Sequence, residues 1–125
     1  MDNELVELAS VYESPGFLLL ARDETGERLG CVGLRNLGHL HGEMTGEIRR
    51  LFVRADGRGR GLGRSLTERL IVDATGRGFD RLVLNTVPSM QEALELYTSL
   101  GFEPSEPYVD EPLEDTYYLA LTLVS

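Results

Sequence analysis

The chain has 125 residues, of which 42% are hydrophobic and 26% charged, a size and balance that fit one globular domain with a single core. The net charge of −9 argues against nucleic acid as the main partner, and no apolar run approaches the ~20 residues of a membrane helix. Cys31 is the only cysteine, which excludes an internal disulfide. The acidic start, Met1-Asp2-Asn3-Glu4, lacks the basic and apolar regions of a signal peptide, so a cytoplasmic protein is expected.

In chain order, Asp2–Ser10 reads as a short helix, with Leu5, Leu8 and Ala9 on one stripe, ended by Pro15-Gly16. Phe17–Arg22 is an apolar strand, Asp23–Glu27 a hairpin loop and Arg28–Asn36 the return strand. Leu37–Thr45 reads as a loop and Glu47–Val53 as a strand, followed by a Gly- and Arg-rich loop over Ala55–Arg60. Leu62–Thr75 has helical period through Leu62, Leu66, Leu70 and Ala74, and Gly76 and Gly78 stop it. Arg81–Val87 is a strand. Ser89–Leu100 is a helix with Ser89 as N-cap and Glu92 completing a capping box. Its apolar face is Ala93, Leu96, Tyr97 and Leu100; Gly101 is the C′ residue, and Phe102 is placed to fold back on Tyr97. Glu103–Asp115 is acidic and Pro-rich, and Thr116–Leu123 is a last strand. The hairpin must be antiparallel, whereas the strand–helix–strand unit from Glu47 to Val87 should be parallel and right-handed. The expected fold is therefore one α+β domain over residues 1–125, a mixed sheet with helices packed on it.

The chemistry concentrates in one loop. All twelve basic residues are Arg, and six of them (Arg49, Arg50, Arg54, Arg58, Arg60 and Arg64) lie between positions 49 and 64, opposed there only by Asp56. Within that stretch, Arg58-Gly59-Arg60-Gly61-Leu62-Gly63 joins a strand to a helix. Glycines let backbone approach a ligand closely, and the unpaired amides of a helix start attract anions. Such a loop holds a phosphate or pyrophosphate. A Walker A loop requires Gly-Lys-Ser/Thr, and the chain has no Lys; a G-x-G-x-x-G fingerprint fails because positions 62, 64 and 66 are Leu, Arg and Leu.

The pattern Arg/Gln-x-x-Gly-x-Gly/Ala after an apolar-Val strand end, here Leu51-Phe52-Val53 and then Arg58–Arg64, resembles the acetyl-CoA motif of the GNAT N-acetyltransferase superfamily. A second block, Ala93-x-x-x-Tyr97-x-x-x-Gly101-Phe102, also resembles that family, and the likeness spans about residues 16 to 123. The resemblance implies a mostly antiparallel sheet with one central parallel pair, without the family's N-terminal strand and first helical region. It implies acetyl-CoA as co-substrate, with pyrophosphate on the amides of Gly59–Arg64 (Gly59, Arg60, Gly61, Leu62, Gly63, Arg64) beside Arg58. The pantetheine arm would lie along Leu51, Phe52 and Val53, where the strands ending at Val53 and Val87 splay. Met90 stands where the family often has Asn, and Asn85 is expected to substitute.

Acetylating an amine needs a base, because an alkyl ammonium has a pKa of about 10.4. Glu47 is the base candidate, since family members that acetylate protein lysines place a Glu at the matching position. Its structural alternative is an ion pair with Arg49 or Arg81. Tyr97 is the candidate acid for the leaving thiolate, placed near the sulfur by the resemblance, although it also lies on the apolar helix face. His39 and His41, in a loop without Cys, make a poor metal site, so no metal is expected. Cys31 reads as a small buried hydrophobe. Tyr108 precedes Asp110, Glu111, Glu114 and Asp115, an acidic rim that would attract a cationic amine. The expected activity is transfer of acetyl from acetyl-CoA to a small-molecule or protein amine by direct attack; the alternative is a non-catalytic acyl-CoA-binding module of the same fold. Phe17–Arg22 carries no charge before Arg22, so its outer edge should be covered, either by the first fifteen residues or by a second copy in a homodimer.

Overall fold

The computed structural model describes residues 5–9, 14–55 and 61–123. Seven strands form one sheet, with β1 at Leu5–Ala9, β2 at Phe17–Arg22, β3 at Arg28–Leu40, β4 at Glu43–Val53, β5 at Arg81–Thr86, β6 at Glu103–Pro104 and β7 at Tyr117–Thr122. Their spatial order is β1-β2-β3-β4-β5-β7-β6. Helix α1 (Leu62–Gly76) crosses from β4 to β5, and α2 (Gln91–Ser99) follows β5. All neighbouring strands are antiparallel except β4 and β5, which are parallel. The mixed sheet with one central parallel pair is the expected architecture.

Three local expectations are corrected. Leu5–Ala9 is a strand paired in register with Leu18–Arg22, not a helix. A segment this short is a marginal helix in water, whereas the open edge of β2 supplies a full ladder of backbone partners. A strand of the same chain thus stands where the N-terminal strand was expected to be missing, and covering the β2 edge needs no second copy. Leu37–Thr45 is not a loop but the tip of a long β3–β4 hairpin. Its turn residues His41 and Gly42 have φ of 52° and 83°, the positive pair that a tight hairpin of this hand requires. Finally, α2 starts at Gln91 with Met90 at its N-cap and no side-chain cap, so the Ser89–Glu92 capping box does not form. The C-terminal reading holds. The Phe102 amide donates to the Tyr97 carbonyl at 3.0 Å and the Gly101 amide to that of Thr98 at 3.1 Å, with the Tyr97 and Phe102 rings edge-to-face at 5.4 Å.

Strand alternation divides the sheet into two unlike faces. One carries Phe17, Leu19, Val32, Leu34, Ile48, Leu82 and Leu84, all buried, and both helices pack on it through Leu62, Leu66, Leu70, Ala74 and Tyr97. Burying each of the large apolar side chains contributes roughly 1.5–3 kcal/mol. The other face carries Arg35, Thr45, Glu47, Arg49, Val83 and Asn85, and receives the segment between β6 and β7. A close approach fixes the end of β4: a Cβ at Gly30 would fall 2.6 Å from the Phe52 carbonyl oxygen and 3.3 Å from Leu66. Gly30→Ala should therefore push β4 off β3 and destabilise the chain by about 1–3 kcal/mol in urea unfolding, with a larger loss than Gly63→Ala, where the nearest atoms lie at 3.8 Å.

Candidate active site

The central parallel pair is short. Thr45, Gly46 and Glu47 pair with Arg81, Leu82 and Val83, and no later residue of β4 pairs with β5. β4 is irregular just beyond this point. Between the pairs Gly33–Arg49 and Cys31–Phe52, β3 advances two residues and β4 advances three. The extra residue is a bulge, and Arg50 sits there at φ 59°. A bulge bends its strand and increases twist, so Leu51–Val53 turns away from β5.

The resulting gap opens into a cleft of about 660 Å³ on the helix side, lined by Leu51–Val53, Gly61–Gly63, Ser89–Ala93 and Leu96. Of the expected cofactor residues, Leu51, Phe52, Val53, Gly61, Leu62 and Gly63 thus come together. Arg58, Gly59 and Arg60 lie outside the described residues. Gly61 precedes α1 in the left-handed region at φ 72°, and the helix has neither a side-chain cap nor an acidic residue in its first turn. Among the described residues the Ser65 amide is the first to bond back, to Gly61, at 3.0 Å. The amides of Leu62, Gly63 and Arg64 precede it and are the positively polarised helix start. The Arg64 guanidinium bonds Ser99 on α2 and pairs with Glu68 at 3.7 Å, so it ties the two helices together. Gly63 keeps the floor open between Val53 and Leu96.

Asn85 does not reach this cleft. Its side chain lies on the opposite face and donates to the Tyr108 hydroxyl at 2.9 Å; that hydroxyl in turn donates to Glu47 Oε2 at 2.7 Å. Glu47 Oε1 is ion-paired with Arg35 at 3.2 Å and Arg49 at 3.5 Å but, among the described residues, accepts no hydrogen bond, and the Glu47 side chain is only 8% exposed. The Arg49 ion pair weighed for Glu47 therefore exists, while Arg81 pairs with Glu43 instead, at 3.8 Å. Glu47 is the last β4 residue before the divergence, so this network stands at the mouth of the gap. Tyr97 is 5% exposed, packed in the core one helical turn below the cleft residue Ala93. Burial pushes its phenol well above the ordinary value, as burial and then the Glu47 hydrogen bond do for Tyr108.

Tyr108 and Arg35 are the site residues that sequence reading undervalued. Tyr108 was legible only as the neighbour of an acidic run, and Arg35 reaches Glu47 through the cross-strand pair of β3 and β4. Cys31 is half-buried; its thiol donates to the Arg50 carbonyl at 3.3 Å and burial raises its pKa, which opposes nucleophilic reactivity. His39 lies on β3 and His41 in the hairpin turn; among the described residues no three His, Cys, Asp or Glu side chains group as metal ligands.

The sequence profile of the Acetyltransferase (GNAT) family matches residues 2–102. An uncharacterized N-acetyltransferase of Schizosaccharomyces pombe is 36% identical over 124 residues, covering 98% of this chain and 74% of its own length. The uncharacterized N-acetyltransferase YjgM of Escherichia coli is 32% identical over 102 residues, 82% of this chain and 60% of that protein, so the chain spans less than two thirds of this second relative. The crystal structure of a GNAT family acetyltransferase from Elizabethkingia anophelis with acetyl-CoA bound has the same fold, with a TM-score of 0.76 and 21% identity over 98% of this chain and 100% of that one.

The two raised phenols set an alkaline limit on stability. Above pH about 10 a tyrosine ionises in the unfolded chain while Tyr97 and Tyr108 stay protonated in the fold, so the unfolded state gains and stability falls. Below that pH the contribution is fully present. The melting temperature of the wild type should drop more steeply between pH 9.5 and 11 than that of a Tyr97→Phe, Tyr108→Phe double variant, with both followed by circular dichroism.

Proposed function

The chain belongs to the GNAT acetyltransferase family, and from that membership we propose that it transfers the acetyl group of acetyl-CoA to an amine by direct attack in a ternary complex. The observation that carries this reading is the meeting of the diverging β4 with the uncapped start of α1 in one cleft. The cleft fits the cofactor on three counts. It combines an extended strand edge at Leu51–Val53 for an amide-bearing arm, polarised amides at Leu62–Arg64 for a pyrophosphate, and a glycine at position 63 where a side chain would intrude. The acetyl-CoA bound by the structural relative from Elizabethkingia anophelis supports the assignment.

Acetyl-CoA supplies a thioester: the neutral amine nitrogen bonds the acetyl carbon, the carbon–sulfur bond breaks, the sulfur takes one proton and the nitrogen loses one, giving an amide and free CoA. The protein's part is to orient the reactants and move those protons. Glu47 is the acceptor of the amine's proton. Its carboxylate is aimed by Arg35, Arg49 and the Tyr108 hydroxyl, and because it is nearly buried the proton reaches it through the Tyr108 side of the network or through water. Tyr97 is the donor to the sulfur. Burial keeps its phenol protonated, and it stands on α2 one helical turn from the cleft residue Ala93. A backbone amide of the bulged stretch near Phe52 binds the developing oxyanion. The acceptor enters from the polar face, opposite the helices, and the chain acts in the cytoplasm.

Acetyl-CoA at a hundredfold excess over its Kd should add about 2.7 kcal/mol of stability, read as a rise of several degrees in Tm. Gly63→Leu should erase that rise while keeping the unliganded Tm, since this helical position has room for a Cβ but its outer atoms would fill the cleft. No rise for the wild type at millimolar acetyl-CoA removes the proposal.

Glu47→Gln and Tyr97→Phe test the roles in catalysis. Each should lower kcat by about 10²–10⁴-fold in release of free CoA thiol, with the Kd for acetyl-CoA changed little. Unchanged kcat in both variants would leave positioning alone as the source of rate.

A further inference from the structure

A second cavity, of about 320 Å³, opens on the polar face next to the Glu47 network. Its wall is built from the start of the central parallel pair, Thr45 on β4 with Arg81 and Val83 on β5, and from the segment Glu106–Asp110. Two of these residues touch the proton acceptor directly: Val83 pairs with Glu47 in the sheet, and Tyr108 hydrogen-bonds its carboxylate. A ligand here therefore lies beside the mouth of the β4–β5 gap. Its charged and titratable lining is mixed in sign, with the Arg81 guanidinium and His41 on one side of the balance and Glu106 and Asp110 on the other.

Arg81 is poorly satisfied. Its nearest carboxylate, that of Glu43, is 3.8 Å away, beyond hydrogen-bond distance, and its Nε is buried with no hydrogen-bond partner among the described residues. The side chain is 32% exposed, so its terminal N–H groups are open to a ligand in the cavity, and a planar carboxylate is the group that matches their fork. The two other cavities described do not offer this. The 660 Å³ cleft belongs to the cofactor, and a third groove of about 560 Å³, lined by Leu113, Tyr117 and Leu119 among others, is apolar.

Resting on the acetyl-transfer reading, we infer that the acceptor is a small amino acid, bound through its carboxylate to Arg81 with its amine directed toward Glu47 and Tyr108. Along β5 the distance from Arg81 to Val83 is about 6.6 Å, the two-residue rise of a strand, so a short molecule bridges the two groups. Glu106 and Asp110 hold the entering ammonium by charge before it is deprotonated. Simple alkylamines and amino-acid amides lack the carboxylate and lose the Arg81 contact.

The test separates binding from transfer. NMR titration of the chain with glycine, β-alanine and γ-aminobutyrate, and with the carboxamide of each, reads binding without turnover. At least one acid should bind about tenfold or more tightly than its amide, the range expected for a hydrogen bond to a charged group, and should shift the Arg81 and Val83 amide signals. Arg81→Gln should abolish the preference and Arg81→Lys should retain part of it. Equal affinity for acids and amides, or a preference that survives Arg81→Gln, overturns the assignment; should Arg81→Gln fail to fold, the wild-type comparison decides alone. Release of CoA thiol with the same compounds reads the transfer separately. Selective binding of acids without thiol release upholds this pocket and removes the transfer reading. Thiol release from alkylamines with no preference for acids upholds transfer and overturns the pocket.

Discussion

The site depends on one constraint: the one parallel strand pair among the described residues is three residues long and then comes apart. Backbone hydrogen bonding normally continues along neighbouring strands, because a buried amide or carbonyl without a partner is expensive. Just past the last pair a single inserted residue bulges β4, with Arg50 in a left-handed backbone conformation, and a bulge of this kind bends the strand. The helices, the cleft and the polar network are then arranged around that parting.

The parting also connects two chemical environments. On the helix side the walls are apolar side chains and the polarised start of α1, suited to an anionic and largely apolar ligand. On the other side stand a nearly buried carboxylate, two guanidinium groups and a phenol joined in one network. Strand alternation separates the two environments by only the thickness of a sheet, so both open onto the same parting.

Arginine serves this acidic chain in several structural ways. Arg35 and Arg49 hold the Glu47 carboxylate, Arg64 joins α1 to α2, and Arg77 lies 4.7 Å over the Phe17 ring. Each use needs a planar, forked or stacking cation, which an ammonium supplies less well.

The sequence by itself determined the elements whose signals are local. Leu62 to Ala74 repeat at helical spacing, Gly101-Phe102 closes α2 on Tyr97, and the Gly-rich strand-to-helix turn marks the cleft; all of these follow from neighbours within a few residues. Leu5–Ala9 and Leu37–Leu40 misled because their short patterns were ambiguous, and pairing with distant strands decided between helix, loop and strand. The same holds for the site. Leu51–Val53 and Gly61–Gly63 were legible from one motif, whereas Asn85, expected at the cofactor, lies on the polar face and Tyr108 was legible only as the neighbour of an acidic rim. Tyr108 meets Glu47 across 61 positions of chain, through a segment with no periodicity to read. Only the tertiary structure could bring those side chains together, because their partnership rests on the sheet's order and register and not on any spacing along the chain.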